Sequence, residues 1–143
     1  MHNLLRSVLA FIVGIVAGML VNMALVTLGP HVFPPPPGVN MADAKSLAES
    51  VHLLEPRHFV FPFLAHALGT FAGALVTYVM ATSYRAAFAW AIGVFFLAGG
   101  IGAAFMIEAP KWFVALDLIV AYLPMAWLAI KLGGKLTAKP AAS

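Results

Sequence analysis

Four long apolar runs, at residues 8–28, 59–81, 86–107 and 112–130, organise this chain. None alternates apolar and polar residues with the period of two that marks a half-buried strand. Each is about 20 residues long, the length at which a helix rising 1.5 Å per residue crosses the hydrocarbon of a bilayer. Lipid offers no water to backbone N–H and C=O groups, so each run is expected to be a helix. The connections "TSYR" and "EAPK" are so short that the helices on either side of each must run antiparallel. The pattern predicts an all-α integral membrane protein, with residues 1–143 forming a single membrane domain built as a four-transmembrane-helix antiparallel bundle. The first run follows Arg6 as a secretion signal would, but it is longer than a signal's apolar core and contains Asn22. It is expected to remain as a span.

The one long connection, residues 29–58, opens with a proline run. Pro34 to Pro37 favour an extended, stiff spacer, and Gly38 lets the chain turn. Asn40 is the expected N-cap of a short helix, with Asp43 in its first turn. Leu47, Val51 and Leu54 would share its apolar face, and Pro56 would end it. This short amphipathic helix is expected to rest on the membrane surface or to cap the bundle.

These features carry a resemblance. "HVFPPPPGVNM" after a first span, a Gly-rich second span and a fourth span ending "LGGK" resemble a group of small bacterial membrane proteins with four spans and a Pro-Pro-Pro-Gly outer loop. The resemblance covers most of the chain. It implies a bacterial cytoplasmic (inner) membrane and no known activity. This chain departs from the group at Asn22, where an acidic residue is common.

Composition agrees with the runs: 63% of positions are hydrophobic and 9% charged, where soluble domains carry about 25% charged residues. The absence of cysteine excludes disulfides, thiolate metal sites and cysteine nucleophiles. With four spans, one side holds Arg6, Arg85, Lys131, Lys135 and Lys139 and no acid. The other holds Lys45, Arg57 and Lys111 against Asp43, Glu49, Glu55 and Glu108. The positive-inside bias then places both termini, including the tail 131–143, in the cytoplasm. The basic tail reads as a topology signal and a contact for anionic lipid, not as a nucleic-acid arm.

Lipid gives helices no hydrophobic reason to associate, so small residues that admit close backbone approach mark the packing faces. Gly14 and Gly18 form one such face, Gly69 and Gly73 another, and Gly93 and Gly100 a third, with Ala98 and Gly102 on a further face of the same helix. A helix small on two faces is expected to be central or to make a subunit contact. "GIVAGMLV" and "GTFAGALV" also echo one another, a likeness that membrane composition alone can produce.

The costly residues lie at one level. His66 stands about 10 Å inside the second run and Asp117 about 7 Å inside the fourth, both counted from the outer end. Asn22 sits at a similar depth in the first run, and Thr70 one turn below His66. An isolated carboxylate in hydrocarbon costs about 3 kcal/mol, so Asp117 must find a partner, a proton or water. Asn22, His66, Thr70 and Asp117 are therefore the candidate binding or proton site, and Pro124 is expected to kink the fourth helix just below Asp117. His52, Glu55, His58 and Glu108 have ligand chemistry for zinc, but Pro56 breaks their helical spacing, and no metal or other cofactor is expected.

No Ser nucleophile constellation, phosphate loop, dinucleotide fingerprint or HExxH is present, so catalysis is not the expected role. The expected function is a small interaction, scaffold or accessory subunit of a homo- or hetero-oligomeric membrane complex, its partners being lipid and other membrane subunits. The alternative is a proton-coupled transporter of a small solute or ion, working as an oligomer through His66 and Asp117. A third reading is an intramembrane enzyme or lipid binder using the same polar cluster.

Overall fold

The computed structural model describes residues 1–138 and 140, and every regular element among them is helical. Helix α1 (His2–Val32) is followed by the short α2 (Ala44–Ser50), two 3-10 turns (Val51–Leu53 and Pro56–Phe59), α3 (Val60–Met80) and α4 (Arg85–Met106). The last stretch is divided into α5 (Lys111–Val120) and α6 (Leu123–Thr137). Four helical stretches are long and apolar enough to cross a membrane: α1, Pro56–Met80, α4 and Lys111–Thr137. Their outward faces are apolar too, with Leu9, Ile12, Val16 and Leu20 of α1 all exposed, a surface suited to acyl chains. These features mark a multi-pass membrane protein.

Several boundaries differ from the expectation. α2 stops at Ser50, before Val51 and Leu54, and Pro56, expected to end it, opens a 3-10 turn because proline suits a first helical position. α1 runs past both ends of its apolar run because backbone bonding continues through polar residues that suit a headgroup region. α6 continues through Gly133 and Gly134, which were expected to end the span. Gly133 is retained inside the helix because the Tyr78 ring of α3 lies against it, leaving no room for a Cβ. Of the basic tail, Lys131 places its ammonium 4.1 Å over the Trp127 ring, whereas Lys139 lies outside the described residues.

The strongest pairing is between α1 and α3, which meet antiparallel at their glycines. A Cβ on Gly14 would stand 2.6 Å from the Gly73 carbonyl, and one on Gly18 would stand 2.7 Å from that of Gly69. Thr77 extends the seam by donating to the Ala10 carbonyl at 3.3 Å. The two echoed segments are thus the two halves of one interface. On its other sides α3 packs against α4 and α6, where Ala74, Ala89, Ile92, Ala126 and Ala129 form a buried cluster. Gly93 belongs to this contact, since a Cβ there would lie 2.8 Å from that of Ala126. The central helix is therefore α3. The helix expected to be central or to make a subunit contact, α4, packs on α3 and α6 through Ala89, Ile92 and Gly93 and leaves Gly99 and Gly102 facing open space.

Ser7 closes the end that holds the N-terminus. Its buried hydroxyl accepts from the amides of Thr82 and Ser83 at 3.2 and 3.0 Å and donates to the Ser83 carbonyl at 2.9 Å. That bond set ties α1 to the α3–α4 turn, where Tyr84 takes a left-handed backbone, φ 50°. At the opposite end, Pro37 and Gly38 (φ 85°) occupy the centre of a turn closed by Val39 N–H donating to the Pro36 carbonyl at 3.2 Å. Gly38 is there because that position needs positive φ. The cap of α2 is Asp43, not Asn40. Asp43 accepts from the Ser46 amide at 2.8 Å, while Asn40 is spent on the Ala42 amide in a local turn.

Overpacking a glycine contact costs about 1–3 kcal/mol. Gly18→Ala is therefore expected to lower the thermal midpoint of the purified protein in detergent, because both the Gly69 carbonyl and the Phe96 ring, 2.8 Å away, must move. Gly102→Ala meets nothing within 4 Å and is expected to stay within about 0.5 kcal/mol of the parent. Ser7→Ala, which strands two turn amides, is expected to cost about 1–3 kcal/mol in the same measurement.

Candidate functional site

The site begins with a broken helix. Pro124 has no N–H to give the preceding turn, so α5 stops at Val120 and α6 restarts with Pro124 in its first turn. The expected kink is a full interruption at Ala121 and Tyr122, where Tyr122 adopts φ −118° and ψ −81°. In an unbroken helix, residues five apart diverge by about 140° around the axis. The interruption instead folds Tyr122 back, and its hydroxyl donates to Oδ2 of Asp117 at 3.1 Å.

Asp117 is buried, its side chain only 6% exposed, and it is not alone. Nδ1 of His66 lies 2.8 Å from Oδ1 and 3.0 Å from Oδ2. An ionised carboxylate offers acceptors only, so the hydrogen belongs to Nδ1. The His66 ring also lies against Tyr122, with centroids 5.8 Å apart and planes 27° off parallel. Histidine, aspartate and tyrosine thus form one bonded unit across α3, α5 and the interruption. Gly100 of α4 makes it possible: a Cβ there would collide with the Tyr122 ring. Its role is to seat an aromatic ring, where a helix-packing contact was expected.

His66 has a second nitrogen. Its side chain is 28% exposed, and Nε2 has no hydrogen-bond partner among the described residues. His66 also lines a chamber of about 160 Å³ between α1, α3, α4 and α5, with Met41, Leu47 and Val51 of the α2 region closing it on the side of the proline run. The chamber is almost wholly apolar. His66 and Asp117 are its polar floor, and His58 is on its wall.

His58 is not free to act. Its Nδ1 accepts from the Glu55 amide at 2.9 Å, leaving Nε2 as the donor to the Pro34 carbonyl 3.0 Å away. The histidine therefore fastens the proline run to the start of α3, with both nitrogens engaged. Glu55 pairs with Arg57 at 2.9 Å on the exposed surface. His52, Glu55, His58 and Glu108 do not come together as a metal-holding group among the described residues.

The remaining candidates stand apart from the bonded unit. Asn22 packs against Gly69 and makes no hydrogen bond to His66 or Asp117 among the described residues. Thr70 is 1% exposed, and its Oγ1 has no partner among the described residues. Both line a second cavity on the far side of His66. Tyr122 is the member that sequence reasoning passed over. The available signal was Pro124 two residues later, which dissolves the regular wheel on which Tyr122 faces away from Asp117.

No family model matches the chain, and neither curated proteins nor solved structures give a match.

Bonds to a charged acceptor are worth about 1.5–3 kcal/mol. Tyr122→Phe is expected to cost that much in thermal unfolding. A double-mutant cycle of Tyr122→Phe with Asp117→Asn is expected to show a coupling of about 0.5–3 kcal/mol. The same cycle with Asn22→Leu in place of Tyr122→Phe is expected to be additive within about 0.5 kcal/mol.

Proposed function

We propose that this protein binds a small, mostly apolar solute in the outer chamber and couples that binding to a proton on the His66–Asp117–Tyr122 unit. The observation that carries the reading is His66 on the chamber lining, with Nδ1 held by a buried carboxylate of the same lining and Nε2 without a partner among the described residues. A structural knot would consume both nitrogens, as His58 does. Here the second nitrogen is left unspent on a residue that borders two cavities.

The electrostatics suit proton coupling. With Nδ1 already protonated, a proton reaching Nε2 converts a neutral imidazole beside a carboxylate into a matched ion pair. Uptake therefore creates no isolated positive charge in the low-dielectric interior. The same proton turns Nε2 from an acceptor into a donor, so the polar group that the floor can hold changes with protonation.

Orientation follows from charge. Arg6, Arg85, Lys131 and Lys135 cluster at the end that holds the N-terminus and the α3–α4 turn. In the proposal that end faces the cytoplasm and the chamber opens outward, in the bacterial inner membrane that the sequence resemblance implies. Four spans rarely enclose a path alone, so transport would require an oligomer.

A second reading, a scaffold or accessory subunit, is favoured by α4. Its Ala98 and Gly102 are exposed, and a Cβ on Gly102 meets nothing within 4 Å. Small exposed faces of this kind let membrane helices associate closely. Cross-linking in native membranes that captures a self-associated species or a complex, and loses it on Gly102→Leu, would carry this reading.

Proteoliposomes containing a trapped pH dye test the first reading. After an imposed pH step, Asp117→Asn and His66→Gln are expected to slow proton entry by about tenfold or more, the effect of losing one charge-assisted bond. Asp117→Asn vesicles that behave like the parent would reduce the unit to a structural tie.

A further inference from the structure

Beyond Gly18 and Phe96, residues of α1, α3 and α4 line a second cavity of about 320 Å³. Its rim includes Met19, Met23 and Gly99, all exposed on the flanks of their helices. A Cβ on Gly99 would meet nothing within 4 Å, so the cavity is open sideways along the face that the apolar surface assigns to acyl chains. A polar floor lies beneath this apolar rim. It consists of the half-buried Asn22, His66, and Thr70 with its unsatisfied hydroxyl.

An unbonded hydroxyl deep among helices is costly unless something supplies a partner. Thr70 belongs to the central helix, one turn from His66, and it lines this groove. A neighbouring valine-sized side chain would fill the same space without the cost. The amide of Asn22 also has no side-chain partner among the described residues. Two residues with unspent polar groups therefore line one apolar opening.

We infer that this groove binds a bilayer-soluble molecule with a hydrocarbon body and an uncharged oxygen head, hydroxyl or carbonyl, held by Thr70 and Asn22. The head is uncharged because the lining holds no acidic or basic side chain besides His66, whose Nδ1 is engaged with Asp117. Either oxygen type fits, since the threonine hydroxyl and the asparagine amide can both donate, and both can also accept. The body is hydrocarbon because methionines and an aromatic ring form the opening, and flexible methionine adapts to varied chains. The inference goes beyond the proton site, since it holds whether or not Asp117 moves protons.

Photolabelling of the full chain in proteoliposomes tests it. The probes are hexadecanol bearing a mid-chain diazirine, the corresponding methyl ketone, and the corresponding alkane, with labelled residues located by mass spectrometry. The alcohol or the ketone is expected to label the segment around Met19 and Met23 about fivefold more than the alkane, the factor given by one hydrogen bond. Which of the two exceeds the alkane identifies the head group. Thr70→Val and Asn22→Leu are each expected to bring that labelling down to the alkane level. Thr70→Val, nearly the same size, is also expected to keep or raise the thermal midpoint without probe and to lose the increase that the favoured probe gives the parent. Asp117→Asn is expected to leave the labelling unchanged, which separates this site from the proton reading. Equal labelling by all three probes overturns the inference. So does labelling that survives both Thr70→Val and Asn22→Leu, or that follows Asp117→Asn instead.

Discussion

Close backbone approach between α1 and α3 is the constraint from which the rest of the arrangement follows. Where Gly14, Gly18, Gly69 and Gly73 interlock, the two helices share a seam with no side chains to hold them apart. That seam occupies the inner and middle part of α1. Farther out, α1 carries Met19, Asn22 and Met23, and α4 has no bulky side chain to meet them at Gly99. α1 and α3 stay close as far as Gly29, where Phe61 lies against α1. Both cavities are lined by α1, α3 and α4, and His66 stands on α3 in the lining of each.

A second local constraint puts chemistry in that lining. A carboxylate at this depth is tolerated only with partners, and His66 has a single Nδ1–H to share between the two carboxylate oxygens. The proline interruption supplies a second donor by redirecting Tyr122, whose ring then needs the space above Gly100. Asp117, Pro124, Tyr122 and Gly100 thus act as a set. The aspartate needs the tyrosine, the tyrosine needs the break and the glycine, and each would look unremarkable alone. His66 gains orientation from the same set, since stacking on Tyr122 and two contacts to the carboxylate fix its ring and determine which nitrogen remains available.

The parts of this design that depend on counting along the chain were readable before any coordinates. Four spans follow from run length, and the His66–Asp117 meeting follows from two expensive residues at one depth. What depth cannot supply is direction around the bundle. Asn22 shares the level but lies on the groove side of His66, so it joins Thr70 instead of Asp117. Tyr122 was hidden for the converse reason: a regular wheel places it away from Asp117, and only the altered backbone at the break returns it. The cap of α2 shows the same limit on a smaller scale. Asn40 and Asp43 are both good caps, and the local turn that occupies Asn40 decides between them.

The two histidines near the outer end give an internal comparison that bears on function. His58 and His66 both line the apolar chamber, and both have a ring nitrogen engaged in holding the fold. For His58 the second nitrogen is also satisfied by a backbone carbonyl, which is what a purely structural histidine in an apolar setting needs. For His66 nothing in the described chain fills that place, although its position is the deeper one and an unmet polar atom there is more expensive. Thr70, one turn away, repeats the pattern on the other side of the same residue. A bundle selected for stability alone would have replaced Thr70 with valine and covered Nε2. Polar capacity left unused at the junction of two cavities is instead what a site requires if its remaining bonds are to come from something that arrives and leaves.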